Sequence, residues 1–146
     1  MTDATTAVPA IERTLELKAP RERVWRALTD PAEIARWFPQ RAELDLRPGG
    51  DGTFFWEGYG SYAVRVEAVD PPSYFACRGA KQPDVGIDAG ETTLVEWWLD
   101  ERPDGGTTLR LRESGFTRPE DRAGNEEGWT DELGELLALL GEPPQA

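Results

Sequence analysis

The sequence has no histidine, and that absence removes whole classes of chemistry. Without imidazole there is no Ser-His-Asp or Cys-His catalysis and no His-ligated metal site. The usual acid-base group near neutral pH is gone as well. A single cysteine, Cys77, excludes an intrachain disulfide. Cations are scarce: 16 Lys and Arg stand against 28 Asp and Glu, a formal net charge of −12. Affinity for nucleic acid rests on cationic contacts that release counterions. This surface therefore repels nucleic acid and anionic lipid heads, and its charge reads as solubility. Long hydrophobic runs are missing too. None approaches the roughly 20 residues that span a bilayer. The polar start MTDATTAVPA lacks the apolar stretch of a secretory signal. The expectation is a cytoplasmic protein that binds neither nucleic acid nor membrane.

What is present suits one ordinary domain. The 146 residues are 38% hydrophobic and include six tryptophans. That is enough chain to bury a core without metals or disulfides, and too aromatic for disorder. Residues 1–10 are expected to be a frayed tail, 11–141 the domain, and 142–146 a second frayed tail.

Periodicity places the elements. Ile11–Leu17 alternates, with Ile11, Arg13, Leu15 and Leu17 on one face, which marks a half-buried strand. Arg13 is the exception on that face and is expected to reach solvent at the strand end. Pro20 fits the first turn of a helix, and Val24, Trp25 and Leu28 supply its apolar stripe. Asp30 as N-cap and Pro31 as first helical residue start a second helix, with Ile34, Trp37 and Phe38 as its stripe. Strand patterns follow at Ala42–Leu46 (Ala42, Leu44 and Leu46 inward), Thr53–Glu57, Ser61–Val69, Tyr74–Gly79, Thr92–Asp100 and Thr107–Ser114. Lys81–Glu91 reads as a loop. The short Gly- and Pro-rich connections make the sheet antiparallel. Trp129, Leu133, Leu136, Leu137 and Leu140 then form one helical face. Asn125 is the expected cap of that helix and Gly141 its terminator. From Asn125 to Leu140 it would run about 24 Å at 1.5 Å per residue. That matches the width of about six strands spaced 4.8 Å apart, so one helix can lie along one curved sheet.

Strand, two short helices, a run of antiparallel strands and a long helix is the order of a helix-grip fold. Particular residues add to this. Ala19-Pro20, Val24-Trp25, Leu28-Thr29-Asp30-Pro31, Ile34 and Trp37-Phe38 resemble the N-terminal signature of bacterial proteins similar to the activator of Hsp90 ATPase. Leu46–Gly50, Val69–Pro72, Thr92–Val95, Asp104–Thr107, Glu113–Phe116 and Gly128-Trp129 with Leu133 and Leu136 continue the same pattern in order. The resemblance spans Ile11 to Leu140. It implies an α+β helix-grip domain: a curved antiparallel sheet of six to seven strands around a C-terminal helix, with a cavity between them. The wider superfamily holds START lipid-binding domains, pollen-allergen-like proteins and polyketide cyclases. No catalytic motif comes with the resemblance.

The inward aromatics are the candidate site. Trp37, Phe38, Phe54, Trp56, Tyr62, Phe75 and Trp97, with Val64, face Trp129, Leu133 and Leu136 of the last helix. They either pack the core or wall a cavity for a flat apolar ligand. Glu113 shares a strand face with Leu109 and Leu111. Buried, it would be a candidate acid or base; at a strand end it would simply meet solvent. Tyr62 could donate a hydrogen bond to a ligand carbonyl. Cys77, beside Phe75, reads as a small buried hydrophobe. The acidic segments Asp84–Glu91 and Glu120–Glu127 lack the spacing of a calcium loop, and Pro48–Gly52 is no phosphate loop. No metal and no cofactor is expected.

Three functions are compatible with these residues. The first is binding of a hydrophobic or amphipathic small molecule between sheet and helix, which requires ligand-sized space. The second is a cofactor-free cyclase- or hydratase-type enzyme in the same cavity, which requires a buried polar group such as Glu113 or Tyr62. The third is a protein-interaction or chaperone-associated module, which requires an exposed apolar patch of several hundred Å²; no feature of the sequence indicates a protein partner.

Overall fold

A computed structural model describes residues 8–145. The expected tail at 1–7 and the final residue, Ala146, lie outside the described residues. The chain runs β1 (Ile11–Leu17), α1 (Arg21–Thr29), α2 (Pro31–Ile34), β2 (Arg41–Leu44), β3 (Asp51–Trp56), β4 (Gly60–Asp70), β5 (Tyr74–Ala80), β6 (Thr92–Glu101), β7 (Thr107–Ser114) and α3 (Pro119–Leu140). All seven strands form one antiparallel sheet in the order β1-β7-β6-β5-β4-β3-β2.

That order explains the two short helices. β1 and β2 are consecutive strands at opposite edges of the sheet, six inter-strand steps or about 29 Å apart. α1 and α2 carry the chain across. The strands then meander back one by one until β7 closes on β1. α1 starts after Pro20, whose carbonyl accepts from Arg23 and Val24, and buries Val24, Ala27 and Leu28. Asp30 caps α2 as expected, its side chain accepting from the Ala32 N–H at 3.0 Å. α2 is one turn long, so Trp37 and Phe38 follow the helix instead of belonging to it. Their N–H groups still reach the Ile34 carbonyl, which keeps both rings beneath the sheet.

The sheet's inner face carries Ile11, Leu15, Leu17, Val64, Val66, Phe75, Trp97, Leu99, Leu109 and Leu111, all buried. α3 covers it with Trp129, Leu133, Leu136 and Leu137. A bulge between Val66 and Ala68 brings Val69 to the inner side. Two expectations change at the edges. β2 stops at Leu44, and Leu46 lies beyond it, 38% exposed. Arg13 reaches solvent only in part: its side chain is 26% exposed, and its guanidinium donates to the Glu126 carbonyl at 3.2 Å.

α3 is longer than its apolar stripe. It begins at Pro119, with Glu120 and Asp121 in the first turn, and spans 22 residues, about 33 Å. Asn125 is therefore interior and caps nothing. Gly141 ends the helix with φ +71°, a conformation that costs glycine nothing. The described parts of the expected tails are tied down. Pro9 and Ala10 carbonyls accept from Arg122, and the Glu142 carboxylate accepts from the Lys18 and Ala19 N–H groups at 2.9 Å.

Candidate functional site

The space between sheet and α3 is not filled. A cavity of about 470 Å³ lies there, inside the usual range for small-molecule sites. Ten of the sequence-derived candidates line it: Trp37, Phe38, Phe54, Trp56, Tyr62, Val64, Phe75, Trp97, Glu113 and Trp129. Leu133 and Leu136 do not. They sit one and two turns further along α3 and pack into the closed aliphatic core. Their spacing placed them on the right helix face, but a face does not say where a cavity ends.

The rings brace one another. Phe38 stacks between Trp37 (5.1 Å, 20°) and Trp129 (5.3 Å, 16°). Trp97 meets Trp37 and Trp129 edge-on at 6.1 and 5.6 Å. Trp56 meets Phe38 at 5.2 Å and Tyr62 at 5.4 Å, again edge-on. Stacked and edge-to-face pairs are the favoured aromatic geometries, so the walls are stiff. Trp37 points its indole N–H away, to the Ala27 carbonyl at 2.7 Å.

Glu113 is buried, 4% exposed, at the wall of this cavity. Alternation along β7 turns it inward with Thr107, Leu109 and Leu111. The register places it opposite Val95 of β6, so Thr93 lies one inward position away. Thr93 Oγ1 donates to Glu113 Oε2 at 2.6 Å, Trp129 Nε1 donates to Oε1 at 2.8 Å, and Asn125 Nδ2 lies 3.1 and 3.2 Å from the two oxygens. Both oxygens are thus engaged, and all donors are neutral. The carboxylate pins α3 to the sheet and fixes the Trp129 ring.

The rim is polar. Lys81 is held between Asp121 at 2.8 Å and Glu91 at 3.1 Å, and the Lys81 hydrogen bond is the chief cause that lowers the Asp121 carboxyl from its ordinary value. Glu132 also lines the space; burial, then Asp131 and Glu135, push its carboxyl up to about 7. Tyr59, 73% exposed, stands at the mouth on the β3–β4 turn. That turn closes at Gly60, whose φ of +118° and approach to Pro83 exclude a side chain. Cys77 lines the cavity wall, and burial, then Glu67, push its thiol up to about 12. It is inert there.

Thr93, Asn125, Glu132 and Tyr59 were not among the sequence candidates. Asp121, Asn125 and Trp129 recur every four residues, with Glu132 three further on. Extending the helical period back from the leucines would have found them. Thr93 shares the inward parity of Trp97 and Leu99. Tyr59, in a turn, has no periodic signal.

The family model described as Activator of Hsp90 ATPase homolog 1-like protein matches residues 18–141. Solved structures share the architecture. Protein MLL2253 from Mesorhizobium loti is 24% identical with a TM-score of 0.79, covering 94% of this chain and 100% of its own. PFC0360w, an HSP90 activator from Plasmodium falciparum, is 22% identical with a TM-score of 0.78, over 93% of this chain and 99% of its own. At these identities the likeness shows the fold. CalU16 from Micromonospora echinospora is 28% identical with a TM-score of 0.73, over 90% of this chain and 75% of its own. No curated protein matches the chain at a significant level. Among the described residues no helix is long and apolar enough to cross a membrane.

Proposed function

The chain belongs to the Activator of Hsp90 ATPase homolog 1-like family, within the START-like superfamily, and from that premise we propose that it binds an apolar or amphipathic small molecule between sheet and α3. The observation that carries this is the cavity of about 470 Å³ with braced aromatic walls. Four indoles, Trp37, Trp56, Trp97 and Trp129, had the bulk to narrow the space, yet their contacts with one another and with Phe38 hold them at its walls. Burying a methylene there gains about 0.8 kcal/mol. A chain of eight to ten carbons thereby offsets the several kcal/mol that association costs.

Glu113 favours holding over catalysis. A general base needs a lone pair directed at its proton. Both Glu113 oxygens already accept from Thr93, Asn125 and Trp129. The buried polar group that an enzyme of cyclase or hydratase type would require is therefore present but engaged. For the interaction-module reading, Leu46 and Tyr59 are the large apolar side chains with notable exposure among the described residues, and they flank opposite ends of β3. A pair so separated is not a docking patch.

The test is a titration with N-phenyl-1-naphthylamine, a neutral probe that brightens in apolar surroundings. One saturable site is expected, weakened at least tenfold by Val95→Phe, which projects a ring into the cavity. Unsaturable binding, or binding indifferent to Val95→Phe, would contradict the proposal.

A further inference from the structure

A buried charge is normally matched by an opposite charge or a metal. Glu113 is 4% exposed, and its three partners are a hydroxyl, an amide and an indole. These satisfy its hydrogen bonds without cancelling its charge. The cations of the cavity lining are committed elsewhere: Lys81 to Asp121 and Glu91, Arg78 to Glu67 at 3.5 Å. Of the carboxylates in the lining, Asp121 is matched by Lys81, whereas Glu113 and Glu132 have no ion-pair partner among the described residues. The cavity therefore carries an excess of negative charge. Trp129 touches Glu113 through its indole N–H, Trp97 packs against Trp129, and Trp37 and Trp56 line the same cavity. Aromatic faces attract cations through the ring quadrupole, indole most strongly.

We infer that the ligand of this cavity is an apolar molecule carrying a methylated ammonium or similarly non-hydrogen-bonding cation, seated beside Glu113 against the indoles; this rests on the binding function proposed above. The engaged carboxylate favours one kind of cation. A primary ammonium brings three donors to a carboxylate whose two oxygens already accept from three neighbours. A quaternary ammonium has no donors to satisfy and interacts through charge and ring contact alone. The net charge of −12 draws cationic solutes toward the cavity.

The experiment compares three probes with the same ten-carbon tail, decyltrimethylammonium, decanol and decanoate, below their aggregation limits, by tryptophan fluorescence. Each titration is run at about 0.5 M NaCl, where the Debye length of about 4 Å screens the surface charge. The expected order is the ammonium at least tenfold tighter than decanol, and decanoate weakest. Glu113→Gln is expected to bring the ammonium within about threefold of decanol, a ratio taken within the one variant so that any change in cavity shape from the altered Thr93, Asn125 and Trp129 contacts acts on both probes. Glu127→Gln, on the exposed face of α3 and outside the lining, makes the same charge change and should retain the tenfold preference. Decanol or decanoate binding as tightly as the ammonium to the unaltered protein would overturn the inference and leave the binding function standing. A preference that survives Glu113→Gln would overturn the role of Glu113. Failure of all three probes to bind would overturn the binding function as well.

Discussion

Beneath β1 and β7 the inner face is aliphatic. Ile11, Leu15, Leu17, Leu109 and Leu111 meet Leu133, Leu136 and Leu137 of α3, and none of them borders the cavity. Beneath β3 to β6 the same face is aromatic, and there the cavity lies. The difference is one of shape. Branched aliphatic chains interdigitate to crystal-like density. Rings braced against other rings cannot fold into the gaps they leave. α3 spans both regions: its C-terminal half seals the core, and its N-terminal half, from Asp121 to Glu132, forms a wall and rim.

Substitutions should respond differently on the two sides. The largest effect belongs to the sealed side. Leu136→Ala, at a fully buried position, is expected to cost about 2–5 kcal/mol in urea unfolding, with neutral-probe affinity changed less than threefold. Next comes enlargement. Val66→Phe, buried and outside the cavity, should cost about 1–3 kcal/mol by overpacking. Val95→Phe, with open space before it, should cost less than about 1 kcal/mol while blocking the probe. Equal costs for the two would erase the distinction drawn here. Trp129→Phe keeps a ring but leaves Glu113 Oε1 short of its 2.8 Å donor; a loss of about 1–3 kcal/mol is expected in the same assay.

The smallest effect concerns pH. The Glu132 carboxyl stands at about 7 in the folded protein against an ordinary value of 4.5, so folding favours its protonated form. Its contribution to stability is therefore greatest at low pH and is lost as pH rises from 4.5 through 7. Because the group is partly exposed, the penalty above pH 7 is discounted to about 1 kcal/mol. Glu132→Gln should remove that penalty, raising stability at pH 8 and leaving it nearly unchanged at pH 4. Thermal melts at the two pH values check this.

Much of the fold was legible because it rests on periodicity. β1 and β7 occupy the spans their alternation predicts, Asp30 caps α2, and Gly141 ends α3. The errors arose where periodicity is silent. Leu46 keeps the alternation of Ala42 and Leu44, but the chain leaves the sheet after Leu44, because pairing partners set the end of a strand. Asn125 looked like a cap because the apolar stripe begins after it, whereas the backbone helix begins at Pro119. The aromatic wall was readable residue by residue. Its division from the sealed core at Leu133 was not, since that depends on how side chains from five elements share volume. The inward direction of Glu113 was readable from strand parity. Its partners were not, because Thr93 and Asn125 reach it from distant parts of the chain.

The six tryptophans offer the most direct test of the central claim, that the aromatic space under the sheet holds a ligand. Trp37, Trp56, Trp97 and Trp129 line the cavity, whereas Trp98 lies on the opposite face of β6 beneath Arg110. In a 15N-correlated NMR spectrum, decanol titrated to saturation is expected to shift the indole N–H signals of the four lining residues and leave that of Trp98 in place. Indole signals that do not move at saturating decanol, or a Trp98 signal that moves as far as the other four, would contradict it.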